Sequence, residues 1–272
     1  MPKVIMTDTK GLHQVTGAGI NFESSANVTK LDLGAQVSLD PQSDGTAFSG
    51  VAGETNQWGF RCGNTLVAIA HGDNQTLLAP ALATTGLNVS GDQTNNDGWQ
   101  FFGKSSLSLG RLNRDYFTVG TSPAFYMKVK FSIADVSGIN DLRCGFVKDE
   151  AYAAAPDNYN DMATMACMAG DIRTQTIVGN AATVNTDLTS GGGDGAGNWA
   201  DGDTHTFEVR VDGAGAVTYL LDNQAPTGAV AYSFTNGLNV TPFWYHIHDS
   251  DIGGALIWQE FEFGLQDHRT TP

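Results

Sequence analysis

Residues 199–222 read WADGDTHTFEVRVDGAGAVTYLLD, and this stretch decides the fold class. Apolar and polar side chains alternate along its first half, which places successive residues on opposite faces of a β-strand. One face carries His205, Phe207, Val209 and Val211, and the other carries Thr204, Thr206, Glu208 and Arg210. The residues DGAG at 212–215 favour a tight turn, and the alternation resumes after them. The stretch therefore predicts a β-hairpin.

This hairpin resembles a strand pair of the laminin-G/concanavalin A-like jelly roll. In that fold a tryptophan precedes a strand that begins near a histidine, an Asp-Gly turn follows, and the second strand ends in aspartate. The matching residues here are Trp199, His205, Asp212, Gly213 and Asp222. The resemblance implies an antiparallel β-sandwich, but it implies no chemistry, because one fold carries many unrelated sites.

The rest of the chain continues the β pattern. Residues 125–133 show the clearest alternation, and further strands or hairpins are predicted at 58–70, 87–102, 142–147, 162–178, 240–248 and 256–263. The apolar phase changes within the last of these, which predicts a β-bulge near Gln259. Many short strands without an amphipathic helix indicate an all-β jelly-roll sandwich.

We expect two regions, an N-terminal arm with a short β segment over 1–60 and the jelly roll over 61–268. The arm is rich in glycine yet carries apolar residues such as Val4, Ile20 and Phe22, so we expect it to dock against a neighbouring subunit or surface. The predicted core of the sandwich includes Phe125, Val129, Phe131, Phe207, Val209, Tyr219 and Phe243.

Charge and cysteine usage exclude several classes of function. The 272 residues carry a net charge of −15, which disfavours binding to nucleic acid or to an anionic membrane. No apolar run reaches the length of a transmembrane helix, and no signal peptide is visible. Cys62, Cys144 and Cys167 lack metal-binding spacing. We expect them to be reduced and buried, with a Cys144–Cys167 disulfide as the alternative.

Two adjacent segments carry candidate ligands. Trp244, His246 and His248 alternate along a strand and share one face, which makes them a possible ligand face. Two imidazoles could bind a metal ion, but no third ligand is evident, and a hydrogen-bonded histidine pair is the alternative. Asp249 and Asp251 have a spacing that suits calcium, with simple turn formation as the alternative. No other cofactor is expected.

Patterns typical of catalysis are missing from the sequence. Glu260 and Glu262 share a face of the last strand, but they lack the Glu-x-Asp-x-(x)-Glu run of jelly-roll glucanases. No nucleophile elbow or phosphate-binding loop occurs. We therefore expect that the protein is not an enzyme. Five tryptophans lie in or beside predicted strands, where core burial is expected and sugar stacking is the alternative.

Segments between about residues 80 and 265 are similar to a group of jelly-roll proteins encoded by tailed bacteriophages. They are TGLNVSGDQTNNDGW at 85–99, FYMKVKFSIADVSG at 125–138, DNYNDM at 157–162 and the hairpin at 199–222. The resemblance implies a virion structural protein, most often one that lies on the capsid or tail surface, and we expect a capsid decoration (cement) protein that is assembled in the host cytoplasm. Implied partners are the major capsid protein and further copies of the chain, with a homotrimer favoured.

Two other functions stay open at this point. The first is a carbohydrate-binding tail or adhesion module that recognises host surface glycans. The second is a glycan-cleaving enzyme, which would need a carboxylate pair in an open cleft. Exposed aromatic residues on a concave face would favour the first of these.

Overall fold

The computed structural model describes residues 86–90, 96–102, 117–188, 199–248 and 255–266 in full, and the strand backbone at 4–7, 11–14, 37–39, 56–59, 65–71 and 81–83. The chain divides into two compact units, Met1–Leu33 and Gly34–Pro272. In the first unit, Val4–Thr7 (β1) and Gly11–Gln14 (β2) form an antiparallel hairpin. Within the described residues, no helix has the length and apolar character needed to cross a membrane.

The second unit is built from short strands. A 3₁₀ turn lies at Pro156–Asn158. The strands are, in chain order, Val37–Leu39 (β3), Asn56–Gly59 (β4), Thr65–His71 (β5), Ala81–Ala83 (β6), Gly86–Asn88 (β7), Gly98–Phe102 (β8), Phe117–Thr118 (β9), Phe125–Ile133 (β10), Ile139–Lys148 (β11), Met162–Met168 (β12), Asp171–Ile177 (β13), Val184–Asp187 (β14), Thr204–Val211 (β15), Ala216–Leu221 (β16), Tyr232–Ser233 (β17), Asn239–His248 (β18) and Leu256–Leu265 (β19).

These strands form two antiparallel sheets that pack face to face. The larger sheet has the order β14-β13-β12-β11-β18-β8-β5-β4, with β9 also paired to β18. The smaller sheet has the order β17-β16-β15-β10-β19-β7-β6, with β3 also paired to β19. The architecture confirms the predicted all-β sandwich of the concanavalin A-like jelly-roll kind.

The core lies between the two sheets, and strand alternation supplies it. Phe131 on β10 is fully buried, and its ring centroid lies 4.7 Å from Trp199, 5.2 Å from Phe207 and 4.9 Å from Trp244. Six of the seven predicted core residues belong to this cluster. Phe243 is also buried, but it lies on the opposite face of β18, in a second cluster with Phe102 and Tyr159. The prediction of its burial is confirmed, while its expected position between the sheets is corrected.

The residues of the hairpin motif meet in space and have structural roles. The Trp199 indole donates to the backbone oxygen of Asp203 at 3.2 Å and packs edge-on against His205. His205 Nδ1 lies 2.7 Å from Asp222 Oδ2, and the other oxygen of Asp222 accepts from the Thr206 amide at 2.8 Å. These contacts tie the start of β15 to the end of β16.

The predicted β-bulge is present in β19. Lys130 faces Glu260, while the next residue, Phe131, faces Trp258, so Gln259 is the extra residue. The bulge lets both Trp258 and Phe261 point into the core, where their rings lie 4.6 Å apart. Without it, one of these two rings would face outward.

The cysteines within the described residues are free. Cys144 and Cys167 are both buried on the inner face of the larger sheet, and they do not form the alternative disulfide. Burial raises the pKa of Cys167 to about 12, because the thiolate would lose its solvation. Cys62 lies outside the described residues.

Candidate functional site

The predicted ligand face on β18 lies inside the sandwich. Trp244, His246 and His248 do share a face, and the Trp244 indole donates to His246 Nδ1 at 2.8 Å. All three side chains are fully buried, because this face of β18 points at the smaller sheet. They therefore belong to the core instead of forming a face that a ligand can reach. Burial lowers the pKa of His248 to about 4.

The predicted calcium ligands, Asp249 and Asp251, lie outside the described residues. Among the described residues, no three histidine, cysteine or acidic side chains gather as a group that could hold a metal ion. The possibility of calcium at Asp249 and Asp251 stays a prediction.

The carboxylate pair of the last strand faces lysines on the smaller sheet. Glu260 lies 3.9 Å from Lys128 and 4.0 Å from Lys130. Glu262 lies directly opposite Lys128 in the strand register. These contacts place both glutamates in cross-strand charge pairs of the kind that stabilise sheets.

A different set of polar side chains occupies the outer face of the larger sheet. Cross-strand register places Arg173 (β13), Arg143 (β11), Tyr245 (β18) and Gln100 (β8) in one line, with Ala166 between the two arginines. We call these four residues the polar row. Gln175 lies two positions along β13 from Arg173 and therefore points the same way.

Arg143 is the buried centre of the polar row. It is 3% exposed, and its Nε donates to both oxygens of Asp141 at 2.9 and 3.0 Å. Nη2 donates to Asp141 at 2.6 Å, and Nη1 donates to Asp157 at 2.8 Å. Asp157 also accepts from the Thr183 hydroxyl at 2.7 Å. One guanidinium thus joins β11 to two surface loops through charge-assisted hydrogen bonds.

The loop at 149–161 passes beside this face and brings tyrosines to it. Glu150 accepts from the Asn160 backbone amide at 2.6 Å and also from the Asn160 side chain, which closes the loop. Tyr159 is buried, and its hydroxyl accepts from the Ala153 amide at 3.3 Å. Tyr152 is 45% exposed, and it is one of the few large hydrophobic residues on the described surface.

Tyr152 lies close to the polar row. Burial raises the pKa of the Tyr245 phenol most strongly, and the nearby Asp141 and Tyr152 raise that pKa further. An aromatic ring that is half open to solvent next to polar groups is a common contact surface for a ligand with both apolar and polar faces.

Several buried polar atoms on this face make no hydrogen bond. They are both amide atoms of Gln100, Nε of Arg173 and Oε1 of Gln175. Burial raises the pKa of the Tyr159 phenol, and the nearby Gln100 amide lowers that pKa by a smaller amount. The two side chains nevertheless lack the geometry of a hydrogen bond. The Gln175 amide does donate to Asn185 Oδ1, at 2.6 Å. Buried polar groups are normally satisfied, and an ordered water is the usual partner of atoms such as these.

Sequence reasoning missed this face. The residues DIRTQTI at 171–177 do alternate, and the positions of Asp171, Arg173 and Gln175 point outward. Outward polar residues are the ordinary pattern of a strand that is half exposed, so nothing in this pattern singles them out. Their alignment with Arg143, Tyr245 and Gln100 depends on register between strands far apart in the chain.

No family model matches the chain, and no curated protein matches it. Solved structures with a similar arrangement include the potassium-bound carbohydrate recognition domain of Emp46p, with a TM-score of 0.46 at 7% identity over 68% of this chain and 84% of that chain. The exoplasmic/lumenal domain of VIP36 in metal-free form has a TM-score of 0.43 at 10% identity, covering 68% and 82%. An alginate lyase from Pseudomonas aeruginosa has a TM-score of 0.42 at 13% identity, covering 75% and 83%.

Proposed function

We propose that the chain is a carbohydrate-binding module that holds a glycan against the polar row on the outer face of the larger sheet. The observation that carries the proposal is the group of partly exposed polar side chains along this face: those of Asp157, Asp171 and Arg173 are 58%, 36% and 27% exposed. Sugar hydroxyls both donate and accept, so they match a surface that mixes carboxylate and guanidinium groups. Tyr152 adds an exposed ring on which the apolar face of a sugar could pack.

We propose further that the module binds without cleaving. A glycosidase needs one carboxyl group to give a proton and a second to act as nucleophile or base. Asp141 and Asp157 are both held by the same guanidinium, that of Arg143. Partial burial opposes ionisation of Asp157, but hydrogen bonds from Arg143 and Thr183 outweigh it and lower its pKa. Arg143 therefore holds both carboxylates in position, and neither acid is free to protonate or attack a glycosidic bond.

The test is binding to a panel of immobilised polysaccharides and oligosaccharides. The wild-type chain should bind at least one of them, and Arg173→Ala and Tyr152→Ala should each weaken that binding by about tenfold, the loss expected for one or two good hydrogen bonds or for one stacked ring. Lys130→Ala and Thr218→Ala are matched controls, because both positions lie on the smaller sheet. Controls that lose as much binding as the site variants would contradict the assignment.

The proposal that the module does not cleave has its own measurement. Incubation of the protein with each bound polysaccharide should release no reducing sugar over the background. Release that disappears in Asp157→Asn would show that this carboxylate is catalytic, and it would replace the binding module by a glycan-cleaving enzyme.

The virion role stays a prediction from the resemblance to phage proteins. The capsid surface, the major capsid protein as partner and the homotrimer are not tested by any feature of the described residues. Glycan binding is the function that the side chains of the larger sheet support best. It is also compatible with an adhesion module on a virion, because host surface glycans would then be the ligand.

A further inference from the structure

We infer that the glycan is uncharged, and that carboxylated or sulfated polymers are rejected. This inference rests on the proposed function and concerns the same face. It is carried by the charges that surround the polar row, and by the degree to which each of them is already paired.

Both guanidinium groups of the polar row are already neutralised. Arg143 uses every one of its nitrogens on Asp141 and Asp157, and its side chain is almost fully buried. Arg173 donates from Nη2 to Asp171 at 2.7 Å and keeps Nε without a hydrogen bond. One N–H of a paired guanidinium can serve a hydroxyl group, whereas recognition of a carboxylate or sulfate uses the bidentate fork of a free one.

The accessible charge on this face is negative. The Asp157 side chain is 58% exposed and that of Asp171 is 36% exposed, against 27% for Arg173. Asp187 on β14 lies directly opposite Arg173 in the strand register and adds a further carboxylate at this edge. An anionic ligand across the polar row would place like charges side by side, which costs binding free energy and opposes association.

An uncharged ligand rich in hydroxyl groups would instead form hydrogen bonds with the same groups. The exposed oxygens of Asp157 and Asp171 can accept from sugar hydroxyls, and the Arg173 side chain, which is 27% exposed, can donate to them. These contacts are available to a neutral sugar without any change in the charge pairs.

The experiment compares neutral polysaccharides with their own carboxylated derivatives. Glucan, mannan and galactan, each with its C6-oxidised form, are titrated against the protein at low and at high salt. A neutral polymer should bind with little dependence on salt. Its oxidised form should bind at least about tenfold more weakly at low salt, where like-charge repulsion is least screened.

Two double variants separate the effect of the local charges on this face from the effect of the overall charge of −15. Asp171→Asn combined with Asp187→Asn removes two local charges, and Asp203→Asn combined with Glu260→Gln removes two elsewhere. The first pair should recover about tenfold in affinity for the oxidised polymer at low salt, and the second pair should recover less. Equal recovery in both pairs would contradict a local origin.

Failure of the inference and failure of the proposed function give different results. Oxidised polymers that bind as tightly as the neutral ones, or more tightly, would overturn the inference while glycan binding stands. Absence of binding to every polymer, neutral or oxidised, would overturn the proposed function and with it the inference.

Discussion

Replacement of Arg143 by methionine tests whether the polar row is held together as described. The substitution keeps an unbranched apolar stem but removes every hydrogen bond of the guanidinium. Asp141, which is 8% exposed, would lose the partner of both its carboxylate oxygens. Removal of one partner of a buried ion pair leaves an uncompensated buried charge, and we expect a loss of about 3–5 kcal/mol in the free energy of unfolding.

The assay is urea denaturation at neutral pH, followed by tryptophan fluorescence, since the described tryptophans are buried. The matched control is Asp157→Asn, which removes the other, largely exposed partner of Arg143. Ion pairs of exposed groups contribute about 1 kcal/mol or less, so the control should lose much less stability. Equal losses in the two variants would refute the role of Arg143 as the partner of a buried charge.

The pH dependence of this effect has a definite sign. Burial already raises the pKa of Asp141 above its usual value, even with Arg143 present. Without Arg143 that pKa should rise further, so the folded variant would bind a proton more readily than the unfolded chain does. The contribution of Asp141 to its stability should therefore increase as the pH falls, and the difference from wild type should narrow in acid. A difference that stays constant from neutral pH to pH about 4 would contradict the buried-charge explanation.

Three further predictions concern the core. Phe131→Ala should cost about 3–5 kcal/mol in a denaturation experiment, because its aromatic neighbours cannot fill the cavity, and unchanged melting would contradict the strand register. His248, with a folded pKa of about 4 against about 6.5 in an unfolded chain, makes the protein less stable as the pH falls from about 6.5 towards 4, by up to about 3 kcal/mol. His248→Gln should remove that pH dependence in thermal melts, and an unaltered profile would exclude His248 as its source. In a Cys62→Ser variant, Cys144 and Cys167 should react with a thiol reagent only after unfolding, and rapid reaction of the native protein would contradict their burial.

Much of the fold follows from local sequence. Alternation at 125–133 and 204–211 identified the side of each strand that faces the other sheet, and the change of phase in the last strand located the bulge at Gln259. The motif that begins at Trp199 predicted the hairpin correctly because its contacts, such as that of His205 with Asp222, join two strands that follow each other directly in the chain. Such local features require no knowledge of the wider topology.

The candidate site depends on contacts that local sequence does not encode. Alternation predicted that Trp244, His246 and His248 share a face, but it could not say whether that face meets solvent or the second sheet. Phe243 shows the same ambiguity, because β18 is buried on both of its faces. A central strand that is covered on both sides gives nearly continuous apolar residues, so its inner and outer positions look alike in the sequence.

The polar row itself is a product of register. Arg143 and Tyr245 are directly opposite each other, yet their strands are separated by a long stretch of chain. Short strands at the edge of the sheet, such as β14, add Asn185 and Asp187 to the same face and carry too few residues to show a period. The position of these residues is set by the topology of the sandwich, which the alternation of single strands does not determine.

The most direct test of the central claim is nuclear magnetic resonance of the side-chain N–H groups during titration with a neutral oligosaccharide chosen from the binding panel. The proposal predicts that the signals of Arg173 Nε–H and of the Gln100 and Gln175 amides shift in a saturable manner. The Arg210 Nε–H on the smaller sheet, which donates to Glu208 at 2.6 Å, should stay in place. Saturable shifts confined to Arg210 and its neighbours, or binding that leaves Arg173, Gln100 and Gln175 unshifted, would contradict a glycan site on the outer face of the larger sheet.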